Sequence, residues 1–116
     1  PPAQVASFAI AGVVGVGAQP FRIYNAWGSA KTITKVHTSV DIAPQGADLI
    51  IDVEKNGTTI FTSQANRPTI AANANTGQST TIDVATLNEG DYLQFSVDQV
   101  GSSTPGSDLL VQVMLE

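Results

Sequence analysis

The stretch Leu49-Ile50-Ile51-Asp52-Val53-Glu54-Lys55-Asn56-Gly57-Thr58-Thr59-Ile60-Phe61 decides the fold class. Leu49, Ile51 and Val53 alternate with Ile50, Asp52 and Glu54, which gives an extended segment one apolar side and one largely polar side. Asn56-Gly57 follows at once. Both central residues of a type I′ turn need positive φ, and Asn and Gly tolerate it best. Thr58 to Ser63 then returns as the partner strand, carrying Ile60 and Phe61. The stretch reads as a β-hairpin.

Working upstream, Val36, Thr38, Val40 and Ile42 share one face of a long run from Ala30 to Ile42, and Ile33 is out of phase with them. A one-residue slip restores it, so a β-bulge is expected near Thr34-Lys35. Phe21 to Ala26 is a short strand opened by Pro20, and Val5 to Val14 is an apolar strand with a loose tail through Gly15 and Gly17. Working downstream, Gln64 to Gly77 has no periodicity, Ser79 to Val84 reads as a short strand, and Asn88-Glu89-Gly90-Asp91 reads as a turn. Leu93, Phe95 and Val97 alternate cleanly, as do Leu109, Val111, Val113 and Leu115 after a Gly, Ser and Pro loop. Only Thr86 to Asp91 offers a turn of helix, and it contains Gly90. About eight strands at short spacing predict an all-β fold: a two-sheet antiparallel sandwich, jelly-roll-like, as a single domain over residues 1–116.

Composition agrees. A chain of 116 residues supports one core. Charged residues make up 13%, about half the usual share, and Thr and Ser take their place. Five Lys and Arg against ten Asp and Glu give a net charge of −5, which disfavours a general nucleic-acid binder. No apolar run reaches the ~18–20 residues of a membrane span, so no membrane insertion is expected. The absence of Cys removes disulfides, thiolate metal sites and thiol catalysis together. The chain begins Pro1-Pro2, which fits a whole small protein that lost its Met and equally a domain cut from a longer chain.

Candidate chemistry is sparse. His37 is the only histidine and lies on the parity opposite the apolar face, which suits a solvent-facing or interface residue better than a ligand. Hydroxyls abound, but a triad needs a base held by a third group. Asp52 and Glu54 lie on one strand face, roughly 6–7 Å apart by strand rise. That is in the range for glycosidic acid–base work, yet alternating polar positions on a wet face explain them better. Asp98 and Asp108 flank a loop and could meet around calcium, without EF-hand spacing. Asn56-Gly57-Thr58 matches a glycosylation sequon, and the hairpin turn explains it better. No catalytic, cofactor-binding or metal residue is therefore assigned.

Two surfaces remain as candidates. Tyr24 and Trp27, with Asn66, Arg67, Asn73 and Asn75 of the Asn-rich loop, form a possible ligand or partner surface, because sugars stack on such rings and loops carry recognition. Val5, Phe8, Ile10, Val13 and Val14 form a possible subunit-contact strand, with residues 1–17 an extended arm or strand engaging a neighbour's sheet edge.

A resemblance adds to this. Asp48 to Leu115 resembles a β-sandwich domain that recurs in tail-fibre and minor tail proteins of bacteriophages. It is carried by the Asp52–Phe61 hairpin (DVEKNGTTIF), the Asn66–Ala71 connector (NRPTIA), the Gly90–Leu93 strand start (GDYL) and the Val97–Val113 ending (VDQVGSSTPGSDLLVQV). The resemblance implies a non-enzymatic structural protein of the virion, in tail fibre, tail tip or capsid decoration. It also implies a homo-oligomer with a trimer as the favoured count, contacts with other virion proteins, and receptor binding to a cell-surface glycan at a fibre tip. It supplies no cofactor and no catalytic residue. A carbohydrate-binding module is the alternative; an enzyme has only the Asp52–Glu54 pair in its support.

Overall fold

The computed structural model describes residues 3–116. In chain order its strands are β1 (Gln4–Val13), β2 (Gly17–Ala18), β3 (Ile23–Tyr24), β4 (Lys31–Ser39), β5 (Leu49–Lys55), β6 (Thr58–Thr59), β7 (Thr69–Ile70), β8 (Thr76–Ser79), β9 (Thr86–Leu87), β10 (Tyr92–Gln99) and β11 (Ser107–Leu115), with one 3-10 turn at Gln64–Asn66. The first sheet runs β1-β11-β4-β8, and β9 also pairs with β4. The second runs β2-β10-β5-β6, and β3 and β7 also pair with β10 and β5. All these pairings are antiparallel.

The short strands come in couples that share a partner: β2 and β3 on β10, β6 and β7 on β5, β8 and β9 on β4. Counting each couple as one interrupted strand leaves eight units among the described residues, as the sequence suggests. In that count the sheets run first–eighth–third–sixth and second–seventh–fourth–fifth. Two nested Greek keys give this order, so the sandwich is a jelly roll.

The alternating residues fill the space between the sheets. Ala6, Phe8, Ile33, Val36, Val111 and Val113 from the first meet Leu49, Ile51, Val53, Leu93, Phe95 and Val97 from the second. Phe8 and Phe95 bridge the layers with ring centroids 5.0 Å apart. Each fully buried Val, Leu, Ile or Phe contributes roughly 1.5–3 kcal/mol of transfer free energy. The bulge expected near Thr34-Lys35 is present. Lys35 pairs with Met114 while Ile33 pairs with Leu115, so Thr34 is the extra residue, and Ile33 and Val36 both point inward.

The hairpin forms with Lys55 opposite Thr58 and Asn56 and Gly57 at φ 52° and 87°. Its return strand is shorter than expected. Ile60 and Phe61 are consecutive and both fully buried, which strand alternation does not allow. The Phe61 N–H therefore turns back onto Thr59 Oγ1 at 3.0 Å and the chain leaves the sheet. The strand read at Ser79 to Val84 lies earlier, at Thr76–Ser79, and β7 forms inside the stretch read as non-periodic. Gly77 explains both shifts. It lies so close to β7 that a Cβ there would overlap the carbonyl of Thr69. Only glycine permits that approach.

Candidate functional site

The sandwich has two long sides, and one of them is open. There β1, the edge of the first sheet, lies beside β2 and β3, the edge of the second. β1 contains no charged residue over its ten positions. Its pairing with β11 is regular from Gln4 to Ile10 and then slips before Val13. Gly12 makes the slip at φ 84°, and its N–H donates to Asp108 Oδ1 at 2.7 Å. The chain then crosses to the second sheet through Val14, which is buried and donates its N–H to the Gly106 carbonyl.

The second-sheet edge is interrupted. Residues 20–22 leave the ladder between β2 and β3, and Phe21 projects outward, 76% exposed. Between this interruption and β1 lies a cleft of about 400 Å³. Phe8, Ile10, Pro20, Phe21, Ile23 and Phe95 form its apolar walls, and Ser7 and Gln19 supply its polar groups. Its lining includes no titratable side chain, so the cleft offers shape and apolar surface without an acid or a base. Val13 and Val16, 70% and 65% exposed, extend the apolar character of the two crossing segments.

The five residues read as a contact strand divide accordingly. Phe8 and Val14 belong to the protein's own core, Ile10 packs against it, and Val5 and Val13 are exposed. Residues 4–13 form a strand of the first sheet, and Ala6 and Phe8 fill the space between the two sheets. Pro1 and Pro2 lie outside the described residues. Sequence reading did not single out Phe21. Its parity with Ile23 and the buried Asn25 suggests an inward side chain, but the strand begins only at Ile23.

The residues read as a ligand surface are not brought together. Tyr24 is half-exposed on β3, in a tilted pair with Tyr92 at 5.4 Å, and Arg22 lies 4.3 Å over the Tyr92 ring. Trp27 packs against the core, its backbone N–H donating to Asn25 Oδ1 at 3.1 Å. Arg67 pairs with Asp98 at the far end of β10, roughly 20 Å from Tyr92 by strand rise. Asn66 donates to Asp83, and Asn75 to the carbonyls of Val40 and Asp41. Asn73, at φ 69°, donates its backbone N–H to the Pro44 carbonyl. These groups fasten their loop to the body.

The Asp52–Glu54 face is not the wet surface the alternation suggests. Thr59 of β6 and the Gln64–Arg67 turn crowd it, and Asp52 is only 7% exposed, accepting from Thr59 Oγ1 at 2.5 Å. Glu54 Oε2 and Ser96 Oγ lie 2.9 Å apart, within hydrogen-bond distance. Burial pushes the Glu54 carboxyl up to about 7; the Ser96 hydrogen bond opposes this, and the charges of Asp52 and Asp98 add to it. Burial also raises Asp52, against the hydrogen bond from Thr59. Neither carboxylate lines the cleft. Asp98 and Asp108 are engaged separately, on Arg67 and on Gly12. His37 sits between Gln112 and Gln78 across the first sheet, and its Nδ1 is buried without a hydrogen-bond partner. The Asn56 side chain is occupied at both ends, donating to Asp91 and accepting from the Tyr92 N–H, as a structural turn requires.

No family profile and no curated protein sequence matches the chain. Among solved structures, the capsid of Ralstonia phage GP4 is similar, with a TM-score of 0.54 and 10% identity over 98% of this chain and 83% of that one. An acetyl xylan esterase from the rumen bacterium Butyrivibrio proteoclasticus aligns at a TM-score of 0.44 and 11% identity, covering 98% of this chain and 32% of its own. The first likeness shows a shared all-β fold.

Proposed function

We propose that this protein is a non-enzymatic building block of a bacteriophage particle that works by packing against copies of itself and against other shell or tail proteins. The observation that carries this reading is the open side: a ten-residue edge strand without a single charge, next to an apolar cleft. Soluble monomers blunt such edges with Lys, Pro or short strands. Within β1 only the bulge at Gly12 does so, and it lies near the end of the strand. A second strand laid along β1 would satisfy its outer backbone groups and cover the cleft. The low charge of the surface supports close packing, because burying a neutral Thr or Ser costs less than burying Lys or Glu. The jelly-roll likeness to a phage capsid chain and the resemblance to phage tail domains point to the same kind of particle. Capsid decoration, tail fibre and tail tip are the positions consistent with it.

Native mass spectrometry and light scattering test the reading. Wild-type protein is expected to self-associate, with three subunits as the count the resemblance implies. Ala9→Lys places a charge on the exposed β1 face and is expected to lower the assembled fraction at least tenfold with the β-rich circular dichroism spectrum unchanged. A wild-type chain that stays monomeric at high concentration removes the proposal.

The exposed Tyr24, with Tyr92 and Arg22, favours a second reading in which a fibre or decoration tip stacks a glycan on these rings. A glycan array that returns no ligand eliminates it.

A further inference from the structure

The outer face of the second sheet gathers three carboxylates, Asp52, Glu54 and Asp98, against one guanidinium, Arg67. Ser96 Oγ lies 2.9 Å from Glu54 Oε2 and 3.4 Å from Asp98 Oδ1. A serine hydroxyl has one proton to donate. With both carboxylates ionised, one of the two contacts is oxygen facing oxygen with no hydrogen between them. A proton on Glu54 resolves this. Glu54 then donates to Ser96, Ser96 donates to Asp98, and Asp98 accepts from Arg67 Nη1 at 2.7 Å. Arg67 in turn donates through Nε to the Gln64 carbonyl at 2.8 Å. The chain of bonds thus runs from β5 across β10 into the segment that covers the sheet.

Asp52 needs no such proton. Thr59 Oγ1 donates to it, and Thr59 itself accepts from the Phe61 N–H and from Gln64 Nε2. The neighbouring charges are committed elsewhere. Lys55 donates to the Thr86 carbonyl, and Arg22 stacks on Tyr92. Asp83 accepts from Ser63 and Asn66, and Asp48 accepts from the Ala72 N–H. β2, β6 and β7 carry no titratable side chain onto this face.

We propose that Glu54 is a proton-held latch: protonated, it completes the Glu54–Ser96–Asp98–Arg67 chain that ties the Gln64–Arg67 turn over the second sheet, and ionised it loosens that cover. The sign follows from linkage. The folded protein keeps a proton that the unfolded chain releases, so the stabilisation is full below about 4.5 and is lost as pH rises through about 7.

Carbon-detected NMR titration of the Glu54 carboxyl, together with denaturant unfolding of wild type and Glu54→Gln between about pH 5 and about pH 8, tests this. Glu54 is expected to titrate near 7. The folded-to-unfolded ratio of wild type is expected to fall by up to about tenfold per pH unit across the window, and Glu54→Gln, which keeps a donor in place, is expected to lack that slope. A Glu54 carboxyl that titrates near 4.5 overturns the proposal, as does a Glu54→Gln protein with the wild-type slope. The wild-type titration decides the matter should the variant not fold.

Discussion

The two long sides of the sandwich use the same Thr-, Val- and Gly-rich vocabulary and end in opposite ways. On one side β6 and β7 face β8 and β9, and the two sheets are stitched together. Val84 donates its N–H to the Ile60 carbonyl at 3.0 Å, the Ser63 N–H reaches Asp83 at 3.0 Å, and Lys55 Nζ reaches the Thr86 carbonyl at 2.9 Å. Phe61 turns inward there and is fully buried. On the other side, no hydrogen bond joins residues 4–13 to residues 17–24 among the described residues, and the cleft separates them. The stitched side satisfies its own backbone and supplies rigidity. The open side leaves apolar surface and an unpaired strand edge, which the proposed packing would cover. Stability and assembly should therefore respond to mutations on different sides.

The strongest test of that division is Phe61→Ala. It empties a fully buried aromatic position on the stitched side and is expected to cost about 3–5 kcal/mol in denaturant unfolding. The division predicts that assembly, scored at a temperature where the variant is folded, is retained. A variant that loses assembly while keeping its stability would reverse the roles assigned to the two sides.

Gly77→Ala comes next. The new methyl group would meet the Thr69 carbonyl and the Ile70 nitrogen, which are backbone atoms and cannot swing aside. Overpacking of this kind is expected to cost about 1–3 kcal/mol. Thr38 sharpens the reason, since its buried hydroxyl donates to the Gly77 carbonyl at 2.9 Å and holds β8 in place. A melting temperature equal to wild type would mean that β7 and β8 can part cheaply, and the stitched side would lose its distinction.

How legible these features are in the sequence depends on how local their causes are. The Asn56-Gly57 turn and the slip at Thr34 are set by residues within a few positions of each other, and both are present as read. The role of Gly77 depends on a segment that approaches from β7, so no periodicity announces it. The same holds for Asp52 and Glu54: alternation places them on the outer face, but only the placement of Thr59 and of the Gln64–Arg67 turn decides that this face is covered. For the open side, the apolar and uncharged nature of residues 5–14 is plain in the sequence, and which of them remain exposed is not. Phe8 is drawn inward by Phe95, and the cleft exists only where β1 meets the break at residues 20–22. Least legible of all is what holds the candidate ring and loop residues, because Trp27, Asn66, Arg67 and Asn75 make internal contacts with partners distant in the chain.

The smallest effect on stability belongs to Phe21→Ser, and it is the most informative about the open side. Phe21 is 76% exposed, so its removal is expected to change unfolding by no more than about 0.5 kcal/mol. Yet it forms the outer lip of the cleft, and large aromatic side chains in that position supply a disproportionate share of contact energy when a partner covers them. Sedimentation velocity across a concentration series should show the assembled fraction of Phe21→Ser displaced to higher concentration by about tenfold or more, equivalent to at least about 1.4 kcal/mol per contact. That outcome combines a silent effect on the monomer with a large effect on association, the opposite of Phe61→Ala. An unchanged concentration dependence would leave the β1 edge alone to carry assembly and would reduce the cleft to a gap between two sheets.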